Sequence, residues 1–183
     1  KELLDAGAIG RLTGIRGLFT SARPIERCTP EASWRYSRGK GGGIVYDLGC
    51  YVLHHVRNLA GGDPKRVYAT GSYGDEVEFD VAAVLEFADG VVAQLTFSWQ
   101  QFPTQYLEIA GTDGEIRVDP AFNNENQTTS LQLNTRDGEE SFEFQSVDPF
   151  VVQLEHLCDC LDNGTPHRIT PEDSIGTMRT IDA

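Results

Sequence analysis

The chain holds 183 residues, carries a formal net charge of −13 and is 39% hydrophobic. That length suffices for one domain with a real core or at most two small ones, and the acidity argues against nucleic acid as the main partner. No apolar run approaches the roughly 18 residues a membrane helix needs, and no signal-peptide pattern opens the chain.

The opening "KELLDAGAIG" has a helix-like pattern that starts without a capping residue, and Gly7 and Gly10 end it. "LTGIRGLFT" reads as a strand, and residues 21–40 as a long loop of turn formers, a length often reserved for function. A helix is expected over about 43–60, with Val45, Leu48, Val52, Leu53 and Val56 as its apolar stripe and "AGGDP" as its end. Strands follow in series. "KRVYATGSY" is one, and "FDVAAVLEF" and "VVAQLTFSW" flank "ADG". Phe79, Val81, Ala83, Leu85 and Phe87 alternate on one face, and Val91, Ala93, Leu95, Phe97 and Trp99 repeat the pattern across the turn. "QYLEIAG" with "EIRVD", and "SLQLNT" with "SFEFQ", give two more hairpins. Successive hairpins imply a large, mostly antiparallel sheet with one face covered.

Two helices close the chain. Asp148 caps the first and Pro149 starts it, with Phe150, Val151, Leu154, Leu157, Cys158 and Leu161 as an expected buried stripe. Thr170 caps the second, where Ile175, Met178 and Ile181 repeat. Both ends of the chain read as cut through helices, so residues 1–183 are expected to form a single domain of a longer polypeptide. The cysteines at 28, 50, 158 and 160 have no framework spacing, so reduced thiols and a cytoplasmic compartment are expected.

Charge is unevenly spread. Residues 1–70 hold 11 Lys/Arg against 6 Asp/Glu, whereas residues 71–183 hold 4 against 22. The second part reads as a solvated acidic surface; the first is also suited to facing an anionic group. It contains "RGKGGGIVYDLGCYVLHH", residues 38–55, which admits three chemistries. A nucleotide loop fits poorly, because Lys40 is followed by Gly41 rather than Ser or Thr, and no G-x-G-x-x-G is present. A metal site would need Asp47, Tyr51 and His55 to converge, but no zinc spacing appears and the adjacent His54 and His55 diverge on a helix. His156, Cys158 and Cys160 are spread in the same way. Acid–base chemistry is the third reading, since Asp47 and Tyr51 lie one turn apart near a helix N-terminus. On spacing alone, Asp47 as a helix-dipole partner and Tyr51 as a core aromatic stand equally.

The run Gly41-Gly42-Gly43, Asp47-x-Gly49-x-Tyr51, then Gly62-Asp63-Pro64 and "VYATG" resembles the signature of the glucose–fructose oxidoreductase, inositol dehydrogenase and MocA family. "GAIGRLTGIRG", "SWRYSRGK" and "PEDSIGTMRTIDA" are similar to other family segments. The resemblance implies an α+β C-terminal domain: an open, mostly antiparallel sheet with helices packed on one face. It also implies a missing N-terminal domain that binds NAD or NADP and supplies a Lys. The implied activity is hydride transfer between nicotinamide and a sugar, polyol or related alcohol. Asp47 and Tyr51 fall at the catalytic positions, with Tyr51 where many members have His. Trp34 and Arg35 match a substrate-side "WR", and His54 is placed with them as a substrate contact. The alternatives are a loop aromatic for Trp34, a solvated charge for Arg35 and a satisfied helix histidine for His54. A homo-oligomer through the open sheet face is implied, and no metal, nucleic acid or membrane partner is expected. The rival is a non-catalytic homologue, a sensor or dimerisation module.

Overall fold

The computed structural model describes residues 1–183. Its elements are helix α1 (Glu2–Asp5), strand β1 (Leu12–Ala22), helix α2 (Cys50–Ala60), and strands β2 (Arg66–Tyr73), β3 (Glu78–Glu86), β4 (Val92–Ser98), β5 (Gln100–Gly111), β6 (Gly114–Asp119), β7 (Thr129–Thr135) and β8 (Gly138–Phe144). Helices α3 (Pro149–Asn163) and α4 (Pro171–Asp182) close the chain. All eight strands form one sheet in the order β2-β3-β4-β1-β5-β6-β7-β8. Every neighbouring pair is antiparallel except β1 and β4, which run parallel with Ile15 beside Ala93 and Phe19 beside Phe97. A parallel pair needs a crossover. Here the loop after β1, α2 and the β2-β3 hairpin supply it, so the C-terminal ends of β1 and β4 finish side by side.

The two alternating sets of β3 and β4 are buried as the sequence pattern requires, together with Leu107, Ile109, Ile116 and Leu133 further along the sheet. Val52, Leu53 and Val56 of α2 complete this core. Gly17 lets the helix approach: a Cβ there would strike Val52. The opposite sheet face is open, with Tyr68, Val84 and Val92 exposed.

α4 packs on α2 through an ionic joint. Arg57, only 5% exposed, donates to Asp63 Oδ1 at 2.8 Å, to the carbonyl of Asp173 at 2.8 Å and to Thr177 Oγ1 at 2.7 Å. The buried face of α4 is therefore Gly176, Thr177 and Thr180, small residues that leave room for a guanidinium, while Ile175 and Met178 are exposed. A Cβ on Gly176 would collide with Arg57.

The expected burial of α3 is corrected. Its limits and its Asp148 cap stand as read, with Asp148 Oδ1 accepting from the backbone N–H of Phe150 at 2.9 Å. But Phe150, Val151, Leu154, Leu157, Cys158 and Leu161 are all exposed, and Cys160 is the buried residue of the helix. α2, with α4 behind it, covers the centre of the packed sheet face, whereas β8 is exposed along its length with Phe142 and Phe144 uncovered. Amphipathicity shows that a helix needs a facing surface, not which surface it is. The expected helix over 43–60 is also divided: a π-helical turn over Val45–Gly49 precedes α2.

Candidate active site

The side-chain cluster at the ends of β1 and β4 begins with the glycines. A short 3₁₀ turn, Trp34–Tyr36, is capped by Ser33, whose Oγ accepts from the Arg35 backbone N–H at 3.3 Å. Gly42 and Gly43 fold back against this turn, their N–H groups donating to the carbonyls of Ser37 and Arg35, each at 2.9 Å. A Cβ on Gly42 would overlap the carbonyls of Trp34 and Arg35. Gly43 sits at φ 125°, where a side chain is strained and would also meet Glu78. Gly41 donates to the carbonyl of Arg38 at 3.1 Å. All three glycine N–H groups are thus used internally. The run is a hinge that presses a loop onto a helix start, and it offers no nest for a phosphate.

That closure delivers Arg35 to Asp47. The Asp47 side chain is 10% exposed, and protein donors reach both of its oxygens. Arg35 Nε donates to Oδ1 at 2.8 Å; Arg23 Nη2 and Trp99 Nε1 donate to Oδ2 at 3.0 and 3.1 Å. Arg23 also donates to the Tyr36 hydroxyl at 3.2 Å and lies over the Trp99 ring at 5.2 Å. Arg35 stacks on Trp34 at 4.7 Å, and its two terminal nitrogens have no protein partner. Two cations share one carboxylate, so the cluster keeps a net positive charge. A carboxylate committed to three donors is a positioning group: it fixes the two guanidiniums and has most of its acceptor capacity taken up by protein, with Oδ1 still able to accept once more.

Tyr51 stands one turn on, 47% exposed, its ring edge against Phe19 at a centroid distance of 6.2 Å. Its hydroxyl has no protein hydrogen bond. Partial burial, then the neighbouring Cys50 and Asp47, raise its pKa above the ordinary tyrosine value, and Arg35 partly offsets them. Trp34, 46% exposed, Arg35, Asp47 and Tyr51 therefore lie around one end of the sheet. His54 does not join them. Its Nδ1 pairs with Asp173 Oδ2 at 3.0 Å at the start of α4. His55 faces the same way: its Nδ1 meets the Tyr51 carbonyl at 2.8 Å and its ring stands edge-on to Phe122. One edge of the His55 ring is open, but packing around the rest withdraws solvent and lowers its pKa. Both histidines line a cavity of about 590 Å³ between α2, β5 and the loop before α4.

Sequence reasoning missed Arg23, Tyr36 and Trp99. Trp99 reads as the last core residue of a strand and Arg23 as a loop charge. The signal that unites them is the parallel pairing of β1 with β4, which brings the Arg23 N–H to the Trp99 carbonyl at 2.8 Å. Hairpin patterns do not reveal that pairing.

A family model described as the GFO/IDH/MocA C-terminal domain matches residues 1–117. Among curated proteins, the chain is 34% identical over 145 residues to D-xylose 1-dehydrogenase (NADP(+)) 2 of Haloferax volcanii, covering 78% of this chain and 44% of that protein. It is 30% identical over 188 residues to D-xylose 1-dehydrogenase [NADP(+)] of Haloarcula marismortui, covering 99% and 51%. Among solved structures, the aldose–aldose oxidoreductase of Caulobacter crescentus complexed with glycerol superposes with a TM-score of 0.85 at 25% identity, covering 99% of this chain and 54% of that one. The chain spans about half the length of the curated relatives it matches. With the open mixed sheet and the loop-to-helix closure described above, these matches show that the chain belongs to the GFO/IDH/MocA family and corresponds to its C-terminal domain.

Proposed function

We propose that residues 1–183 form the substrate side of an NAD(P)-dependent oxidoreductase acting on the alcohol or carbonyl carbon of a sugar, polyol or related compound. The observation that carries this reading is the unpartnered Tyr51 hydroxyl beside the fixed Asp47–Arg35 pair. Similarity to the two D-xylose 1-dehydrogenases supports the reaction class. The nicotinamide cofactor supplies the hydride acceptor or donor when bound. Its pyrophosphate does not fit the Gly41–Gly43 run, whose N–H groups are already used, so the preceding half of the polypeptide is assigned to hold it.

Tyr51 handles the proton. Its raised pKa keeps the phenol protonated at neutral pH, which suits donation to a carbonyl oxygen during reduction. In the oxidative direction it needs a further cation close by, and a Lys from the preceding half is assigned that part. Asp47 positions Arg35, whose two free terminal nitrogens are available to substrate oxygens, with the Trp34 ring as an apolar wall beside them. His54, held by Asp173, supports α2 rather than contacting substrate.

The open sheet face is assigned to pairing with a second copy. Tyr68, Val84 and Val92 are exposed there, and Glu108 accepts from Arg16 at 3.1 Å and from Arg117 at 2.5 Å at its polar side. Sedimentation of the full-length protein as a monomer at micromolar concentration would remove that assignment. The four cysteines are free, in keeping with a reducing compartment, and no helix is long and apolar enough to cross a membrane.

The test is a screen of aldoses and polyols with the full-length protein and each nicotinamide cofactor, followed by nicotinamide absorbance. Turnover with at least one sugar is expected. Cofactor binding with no turnover on any of them would favour the sensor reading.

A further inference from the structure

With no protein hydrogen bond to its hydroxyl, the Tyr51 side chain is directed by ring packing. Its aromatic neighbour is Phe19, edge-on at 6.2 Å. Phe19 in turn stacks on Phe122, with ring centroids 5.4 Å apart and planes 24° from parallel. Phe122 also meets His55 edge-on at 5.4 Å, and His55 Nδ1 lies 2.8 Å from the Tyr51 carbonyl. The four rings close a circuit that starts and ends on α2. Tyr51 and His55 belong to that helix and Phe19 to β1, so their backbones are fixed by regular structure. Phe122 is different: it lies in the irregular connection between β6 and β7.

Gln105 holds that connection in place. It faces Phe19 across the β1–β5 pairing, so the two side chains project from the same side of the sheet. Gln105 Oε1 accepts from the backbone N–H of Phe122 at 2.9 Å and from that of Asn123 at 2.6 Å. Its Nε2 donates to the Asn123 carbonyl at 2.7 Å. Neither N–H has another protein acceptor. One carboxamide thus spends both acceptor sites and one donor on two successive residues. Gln127 Nε2 donates to the same Asn123 carbonyl at 2.8 Å but reaches neither N–H. We propose that Gln105 is a positioning residue for Tyr51: it fixes Phe122, Phe122 holds Phe19, and Phe19 aims the phenol.

Aim matters for a proton donor. The phenol must come within about 2.6–3.2 Å of the oxygen it serves, and a misplacement of about 1 Å costs up to about a hundredfold in rate. Without Gln105 the N–H groups of Phe122 and Asn123 turn to water, and the connection is no longer tied to β5 beside Phe19. The catalytic consequence rests on the proton role proposed above for Tyr51; the placement of its ring does not.

Two readouts on the full-length protein separate placement from chemistry. 4-Fluorophenylalanine in place of Tyr51 sets a fluorine where the hydroxyl stands. Its resonance is expected to move or broaden in Gln105→Met, and also in Phe122→Leu, which loses the stack while the backbone anchor stays. Gln127→Met leaves both N–H groups held and should keep the parent resonance. In turnover, Gln105→Met should lower kcat about tenfold or more with KM little changed, and should lower it no further once Tyr51→Phe is present. An unmoved fluorine resonance in Gln105→Met overturns the proposal whatever Tyr51 does, as does an equal movement in Gln127→Met. A kcat loss that persists undiminished in the Tyr51→Phe background overturns it too, and so does parental kcat in Gln105→Met beside a strong loss in Tyr51→Phe. Parental turnover of Tyr51→Phe sinks the proton role alone, and the fluorine resonance then decides the placement.

Discussion

The indole N–H of Trp99 donates to Asp47 Oδ2 at 3.1 Å and so ties the end of β4 to the start of the helical run. Trp99 is fully buried, its ring meeting Tyr36 edge-on at 5.1 Å. Trp99→Phe keeps most of that packing and removes the donor, leaving Oδ2 to Arg23 alone. The expected cost is about 1–2 kcal/mol in urea denaturation, the range for one hydrogen bond to a charged group plus lost ring volume. Turnover of the full-length protein should fall with it, because Asp47 then holds Arg35 less rigidly.

Gly42 and Gly39 make a matched pair. A Cβ on Gly42 would overlap the carbonyls of Trp34 and Arg35, whereas at Gly39 it meets nothing. Gly42→Ala is expected to push the Trp34–Tyr36 turn off the helix start at a cost of about 1–3 kcal/mol, and to raise KM as Arg35 is displaced. Gly39→Ala should leave both melting temperature and KM unchanged. Equal behaviour of the two variants would remove the hinge role of the glycine run.

Arg57→Met isolates the α2–α4 joint. The methionine fills part of the stem volume but leaves Asp63 and Asp173 without their shared cation, and both carboxylates keep some solvent contact. A loss of about 3 kcal/mol is expected, at the lower end for breaking a buried pair. Adding Asp173→Asn should cost less than the sum of the two single changes, as measured by a double-mutant cycle in urea.

The His55 pKa is lowered, mainly by burial and secondarily by His54, so the folded protein takes up that proton less readily than the unfolded chain does. Its contribution to stability is therefore present above the unfolded histidine value of about 6.5 and is lost as pH falls through the depressed folded value. Melting temperature should decline as pH falls from about 6.5 toward the depressed folded value and level off below it. His55→Asn, which still offers an N–H toward the Tyr51 carbonyl, should show a shallower decline. An unchanged slope would place the acid sensitivity elsewhere.

What could be read from the residues divides by the range of the interaction. The strand alternation of Phe79–Phe87 and Val91–Trp99 is local, and burial follows it residue by residue. The caps at Asp148 and Thr170 are local too, and both side chains accept the backbone N–H groups their type implies. The β1–β4 pairing links residues some 80 positions apart, such as Gly14 and Val92, and no turn signal marks it. Arg23 was invisible for that reason, while Arg35, brought to Asp47 by the nearby glycines, was within reach of motif reading. The spacing of Asp47 and Tyr51 placed them one turn apart, but not which of them is free. That depends on three donors converging on one carboxylate.

Tyr51 is the residue on which the proposed chemistry turns. Its hydroxyl has no protein partner, so Tyr51→Phe removes no internal hydrogen bond and keeps the ring against Phe19. Thermal stability should therefore stay within about 0.5 kcal/mol of the parent. If the hydroxyl passes a proton to or from the substrate oxygen, kcat of the full-length enzyme should fall by roughly 10²–10⁴-fold, with KM little changed. The pH profile adds a second reading. Reduction by the parent enzyme should decline as Tyr51 ionises, while oxidation should rise over the same range, at a pH set by the Lys assigned to the preceding half. In Tyr51→Phe both limbs should flatten, because the titrating group is gone. Asp47→Asn should behave differently: the amide cannot accept from two guanidiniums as a carboxylate does, so both stability and KM should suffer. Turnover of Tyr51→Phe close to the parent, with the pH limbs intact, would take the proton step away from this helix and assign it to the preceding half of the polypeptide.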